Sequence, residues 1–235
     1  MTTNIREKRL VHEFQRMLSI RREGGLINFS CADLSTEEEE KFLTSSLTED
    51  FILGKLGGFL TPEDFQNRFP DKAPEKYCVL FCCKGLQKLS EYDEPTIRDE
   101  HVMEIVFGYD YPSAPPRYVW LTNIWHPNIK PPYLCDKGRP FAVSTTLDQI
   151  CLMVGQMIQY RIYNTEDPLD KDAAKWAAQN KKLFPIDTRD LLTGEEHLDP
   201  PLVSFIDGEP MELIDAEPNQ SQTENMVNTN IIELI

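Results

Sequence analysis

The residues of this chain best suited to covalent chemistry are six cysteines: Cys31, Cys78, Cys82, Cys83, Cys135 and Cys151. A free thiol titrates near ~8.5, so a minor thiolate fraction can act as a nucleophile near neutrality without a dedicated base. None of the six forms a CxxC pair, and several sit inside apolar runs. That argues against a disulfide scaffold and a zinc ribbon, and makes a buried thiol the plain reading for most of them. Two segments of marked composition flank Cys135. Residues 111–129 read YPSAPPRYVWLTNIWHPNI, a proline-stiffened turn, a strand, and a second turn closed by His126-Pro127-Asn128. Cys135 follows His126 by nine residues, and residues 164–169 read NTEDPL.

This pattern resembles the signature of ubiquitin-conjugating enzymes. In that family a YPxxPP turn (here Tyr111, Pro112, Pro115 and Pro116) precedes a strand, and an HPN tripeptide (His126, Pro127, Asn128) follows at this spacing. The active cysteine comes shortly after HPN, which assigns the role to Cys135, and a DPL-containing segment precedes a later helix, as at Asp167-Pro168-Leu169. The resemblance covers about residues 4 to 185. It implies an α+β fold: an N-terminal helix, an antiparallel four-stranded sheet and C-terminal helices, with an insertion after the first strand.

The resemblance also implies roles. Cys135 would accept a ubiquitin-like protein as a thioester from an activating enzyme. The Asn128 amide would stabilise the oxyanion, a donor whose removal typically slows such reactions ~100- to 1,000-fold. Asp167 would orient or deprotonate the attacking lysine, which at a resting pKa of ~10.4 is otherwise protonated. Each has a plainer rival: a loop thiol, an amide that holds its loop by hydrogen bonds, and a carboxylate that ends a turn. His126 reads as a turn residue bonded to nearby backbone rather than as a base. Cys151, in QICLM, lies on an apolar helical stripe and reads as core. The chain departs from the family pattern in three places: SEYDEPTIRDEH stands where YxGG is usual, KPPYL precedes the cysteine, and CDKGRPFAVSTT follows it. Such divergence fits a lineage far from the common eukaryotic members, such as a bacterial ubiquitin-like pathway.

The elements that must position these groups can be read from periodicity. Residues 4 to 22 form a helix, with Leu10, Val11, Phe14, Met17 and Leu18 at helical spacing and an Asn4–Glu7 capping box. Arg6, Arg9 and Arg16 decorate it as a basic row, either solvated or docking the activating enzyme. Strands are expected over 26–29, 77–83, 101–107 and 118–121. Within the insertion at 35–76, Thr36 to Glu39 can cap one short helix, and Thr61-Pro62-Glu63-Asp64 starts another. Leu147, Ile150, Cys151, Val154, Met157 and Ile158 mark a helix capped by Thr145 and Asp148, and a last helix begins at Asp170.

Net charge over the 235 residues is −15. Residues 191–235 hold ten Asp or Glu and no Lys or Arg, which leaves about −5 on the rest. The balance is not that of a nucleic-acid binder. It divides the chain into a catalytic-type domain, 1–190, and an acidic extension, 191–235, with a hairpin signal at Asp207-Gly208 and an apolar end, Ile231 to Ile235. No apolar run approaches the ~18 residues of a membrane helix, and the start lacks the features of a secretory signal, so the chain reads as cytoplasmic. No cofactor and no metal site is expected. The expected partners are an activating enzyme, a ubiquitin-like protein and a ligase or acceptor protein. Two functions stay open: a conjugating transferase acting through Cys135, or an inactive variant of the fold that serves as a scaffold. A cysteine hydrolase is disfavoured, because no triad-like signature accompanies Cys135.

Overall fold

The computed structural model describes residues 5–32, 59–135 and 142–196. The Asn4 cap, the short helix at Thr36 to Glu39, the Asp207-Gly208 turn and the apolar end lie outside these residues. Helix α1 (Ile5–Ile20) buries Leu10, Phe14, Met17 and Ile20, while Val11 faces outward. Strand β1 (Ile27–Ala32) follows. Leu60, beyond the segment that succeeds β1, exchanges two 2.9 Å hydrogen bonds with Cys31. Helix α2 (Pro62–Arg68) starts where expected: Thr61 accepts from the Asp64 N–H at 3.1 Å and Pro62 opens the first turn. Phe65, fully buried, packs edge-on against Phe14.

The sheet is an antiparallel meander in the order β1, β2 (Lys76–Phe81), β5 (His101–Val106), β6 (Arg117–Trp120). Registers such as Phe29 with Val79 and Val79 with Met103 put one set of alternating residues on a common inner face. Ile27, Phe29, Tyr77, Val79, Phe81, Met103, Ile105 and Trp120 line that face, all nearly inaccessible. Helices α1 and α3 (Leu147–Ile158) cover it, and Cys151 meets Met17 sulfur to sulfur at 3.8 Å. Helix α4 (Lys171–Gln179) is capped by Asp170, which accepts from the Asp172 and Ala173 N–H groups. The α+β architecture, the four-stranded sheet and the piece inserted after the first strand are as expected. Two small hairpins were not expected: β3 (Gly85–Gln87) with β4 (Thr96–Arg98), and β7 (Ile129–Lys130) with β8 (Tyr133–Leu134). Strands of two or three residues leave no readable alternation. Among the described residues no helix is long and apolar enough to cross a membrane.

Three readings change. The three arginines of the basic row on α1 are ion-paired rather than free in solvent. Arg6 pairs with Glu75, Arg9 is held by Glu13, Tyr111 and the Thr145 carbonyl, and Arg16 pairs with Asp148 at 2.7 Å. Residues 6, 9, 13 and 16 border the buried stripe at 10, 14 and 17, so the Arg6 and Arg9 guanidiniums turn inward along the edge of the core, while the Arg16 side chain stays exposed. Helix α3 begins one residue later than expected. Gln149, not Asp148, reaches back to the Thr146 N–H at 3.1 Å, because Asp148 is committed to Arg16. Finally, the packed body runs past 190. Leu191 is buried, its carbonyl accepts from the Leu26 N–H at 2.9 Å, and the described chain continues to Glu196.

Candidate active site

The site is assembled around the His126-Pro127-Asn128 turn. His126 is fully buried against the Tyr160 ring at 4.7 Å, and its Nδ1 accepts from the Asn128 N–H at 3.1 Å. Burial pushes its imidazole down to about 3, so the ring is neutral at physiological pH and acts as an acceptor inside the turn. Tyr160 holds a left-handed backbone (φ 57°), stacks on Phe184 and donates its hydroxyl to the Trp125 carbonyl. Nothing in the local sequence around Tyr160 marks it as the support of a turn 34 residues upstream.

Beyond Asn128 the chain runs out along β7, turns at Pro131-Pro132 and returns along β8. The Pro132 carbonyl accepts from Trp120 N–H at 3.0 Å, which fixes this hairpin to the end of β6. The return delivers Cys135 back to the turn, where its N–H donates to the Asn128 carbonyl at 2.9 Å. The two prolines that replace a glycine-containing turn therefore still close a hairpin, and the cysteine sits at its end, partly exposed.

The Asn128 side chain is bonded to a second loop. Its Nδ2 donates to the Asn164 carbonyl at 3.0 Å and its Oδ1 accepts from the Asn164 N–H at 2.7 Å. The Pro127 carbonyl accepts from the N–H groups of Leu169 (2.8 Å) and Asp170 (3.0 Å). Asp167 lies between these two attachments, exposed, its N–H directed to Asn164 Oδ1 at 3.4 Å. Asn164 in turn shapes this loop, as Oδ1 also accepts from Glu166 N–H at 2.8 Å. Cys135, Asn128 and the loop bearing Asp167 are thus brought together by backbone and amide hydrogen bonds. Asn164 was missed in the sequence because it works mainly through its main chain, which carries no residue-type signal.

Tyr111 is placed elsewhere. It is buried, its ring lies 4.3 Å from that of Phe107, and its hydroxyl donates to Glu13 Oε1 at 2.6 Å and accepts from Arg9 Nε at 3.1 Å. Glu13 also accepts from the Leu147 N–H at 2.6 Å, so one buried carboxylate joins α1, the Tyr111 turn and the start of α3. The Tyr111–Pro112 bond is cis, Pro116 is buried and Pro115 is exposed. The YPSAPP turn is an anchor for α1. Burial pushes the Cys31 and Cys78 thiols up to about 12 and raises those of Cys82, Cys83 and Cys151 as well.

Residues 97–191, from β4 through the turn, Cys135 and both later helices, match the model of the family described as ubiquitin-conjugating enzyme. Among individual proteins, the chain is similar to the NEDD8-conjugating enzyme UBC12 of Saccharomyces cerevisiae, 35% identical over 79 residues. That match takes in 33% of this chain and 42% of the yeast protein, so the chain spans less than half the length of this curated relative. Two solved structures are similar as well. One is a Toxoplasma gondii ubiquitin-conjugating enzyme E2 domain (24% identity, 48% of this chain and 75% of that one, TM-score 0.35). The other is titled a novel ubiquitin-conjugating enzyme (17% identity, 76% and 89%, TM-score 0.42).

Proposed function

We propose that the chain is a conjugating transferase. It accepts a ubiquitin-like protein as a thioester on Cys135 from an activating enzyme and passes it to an amine, directly or with a ligase. The observation that carries this reading is the junction at Asn128, whose carbonyl holds Cys135 and whose amide holds the loop of Asp167. In the first step the Cys135 thiolate attacks the thioester carbonyl on the activating enzyme, and that enzyme's thiolate leaves. In the second, a neutral amine attacks the Cys135 thioester, the Cys135 thiolate leaves and the amine loses its proton. A carboxamide carries two N–H groups, so with one on Asn164 the other is left for the oxyanion of either tetrahedral intermediate. Asp167, exposed on the facing loop, orients the amine and receives its proton. Partly excluding water would favour the neutral amine.

The domain division is part of the proposal, with residues 1–190 as the conjugating-type domain and 191–235 as an acidic extension whose first residues, from Leu191, still pack on that domain. The setting is cytoplasmic, and the partners are the activating enzyme, the ubiquitin-like protein and a ligase or acceptor. The test is to incubate the protein with candidate activating enzymes, ubiquitin-like proteins and ATP, then look for an adduct that dithiothreitol removes. Wild type and Cys151→Ala should form it, and Cys135→Ala should not. Charging of Cys135→Ala would reassign the nucleophile. Absence of any adduct across the panel would leave the scaffold reading.

A further inference from the structure

The cysteine hairpin has an inner and an outer face. Its register pairs Ile129 with Leu134 and Lys130 with Tyr133, and the bond from the Cys135 N–H to the Asn128 carbonyl carries the ladder one step further. Side chains opposite one another share a face, and the face alternates along each strand. Ile129 is buried and Leu134 packs against the core, so that pair takes the inner face. Lys130, Tyr133, Asn128 and Cys135 therefore share the outer one. Its Asn128 end is covered by the loop from Asn164 to Asp170, while Lys130 and Tyr133 stand exposed.

On that face Lys130 is the diagonal neighbour of Cys135. Diagonal positions of an antiparallel pair lie about 7–8 Å apart, within reach of a long side chain. The Lys130 ammonium is turned toward the covering loop, with Nζ 3.9 Å from Asp170 Oδ2. Asp170 is itself fixed at two points. Its N–H donates to the Pro127 carbonyl at 3.0 Å, and its Oδ1 caps α4 through the Asp172 and Ala173 N–H groups, which leaves Oδ2 for the lysine. An amine, a carboxylate and the candidate nucleophile are thus gathered beside the His126-Pro127-Asn128 turn. An ion pair of this length on a side chain 60% exposed adds little to stability, so the lysine leaves it at little cost.

We infer that Lys130 is an acceptor within the same chain: an acyl group carried as a thioester on Cys135 passes to the Lys130 amine. The neutral amine attacks the thioester carbonyl, and a carbon–nitrogen bond forms as the carbon–sulfur bond breaks. The Cys135 thiolate leaves, and the proton shed by the attacking nitrogen goes to the Asp170 carboxylate. The product is an isopeptide bond, which dithiothreitol does not cleave. Holding the amine on the hairpin that bears the thioester makes the step unimolecular, and this proximity replaces the docking that an external acceptor requires. Lys171 and Lys175 of α4 line a groove with Thr165, Glu166 and Pro168, away from the hairpin, and serve as internal controls. The inference rests on Cys135 as the carrier, as in the proposed function, but not on how the cysteine is loaded.

Loading Cys135 without an activating enzyme keeps the two readings apart. The full chain is treated with the mercaptoethanesulfonate thioester of acetyl-diglycine, which exchanges onto thiols, then with dithiothreitol, and is mapped by peptide mass. Acyl mass should remain on Lys130, at least about tenfold above that on Lys171 or Lys175, and should be lost in Cys135→Ala. Asp170→Asn keeps the helix cap, because asparagine caps about as well as aspartate, and should slow the transfer about tenfold or more. An unmodified Lys130, equal acylation of the three lysines, or acylation of Lys130 that persists in Cys135→Ala overturns the inference, and an unchanged rate in Asp170→Asn overturns the route of the proton. With an activating enzyme and ubiquitin-like protein that charge Cys135, wild type should also accumulate a dithiothreitol-resistant adduct mapped to Lys130, and Lys130→Arg should lose it. Transfer to Lys130 from the small thioester, with no charging by any activating enzyme, would overturn the transferase reading and leave Lys130 as the acceptor.

Discussion

Asn128 and Asn164 exchange two hydrogen bonds, side chain to main chain, at 3.0 and 2.7 Å across 36 residues of sequence. The exchange makes the Asn128 amide a clasp between the cysteine hairpin and the loop of Asp167, whatever else it does in catalysis. Removing it leaves an N–H and a carbonyl of Asn164 without these partners in a part-buried position. Asn128→Ala should therefore lower stability by about 2 kcal/mol as well as slow discharge of the adduct to an amine. Asn164→Ala keeps both main-chain bonds and should cost less. Urea denaturation and single-turnover discharge of the two variants separate the effects. Equal stability loss in both would remove the clasp, and unchanged discharge in Asn128→Ala would leave Asn128 with a structural role only.

The arginines of α1 should act on stability before they act on partners. Arg9 faces the fully buried Glu13, so Arg9→Ala leaves a buried carboxylate without its cation and should cost about 3 kcal/mol. Arg16 is 45% exposed at the side chain, and its loss should cost about 1 kcal/mol. Thermal melts of the two variants test the ranking. If Arg9→Ala melts with wild type, Glu13 is satisfied by Tyr111 and Leu147 alone.

Leu191 is packed into the core beside Gly155 of α3. A β-carbon placed on Gly155 would stand 2.6 Å from Leu191 Cδ1, so the leucine fills the space that the helix glycine leaves open. Truncation after Glu196 should leave the melting temperature close to that of the full chain. Truncation after Asp190 should lower it sharply, and Leu191→Ala in the full chain should cost about 3 kcal/mol. Equal melting of the two truncations would show that the core closes without Leu191.

Two buried imidazoles predict an acid limb of instability. Burial pushes His126 down to about 3 and His101 to about 4, against ~6.5 in an unfolded chain. Between pH ~6.5 and about 4 the unfolded state therefore binds protons that the folded state does not, so stability falls as pH falls through that window. Their contribution is fully present above pH ~6.5. Urea midpoints measured from pH 7.5 to 4.5 should decrease, and imidazole resonances of folded protein at pH 5 should show both rings neutral. A protonated His126 in the folded state at pH 5 would refute this account.

Much of the site was legible because it is local. Proline stiffening, the HPN turn, the apolar stripe of α3 and the caps at Thr61 and Asp170 are set by neighbours within a few residues, and such preferences act before any tertiary contact forms. The helix and strand positions were read on that basis, while the nucleophile candidate Cys135 came from the family resemblance and the acidic extension from charge. What the sequence left open depends on partners far along the chain. The bond from Cys135 to Asn128 and the clasp on Asn164 use main-chain groups, which every residue has, so no residue type announces them. The three arginines of α1 looked free because their acceptors, Glu75, Thr145 and Asp148, come from other elements. Leu191 looked like the start of a tail until Gly155 gave it a place. Only packing decides which of many equivalent amides, carboxylates and leucines become neighbours, because burial, not propensity, sets the cost of leaving them alone.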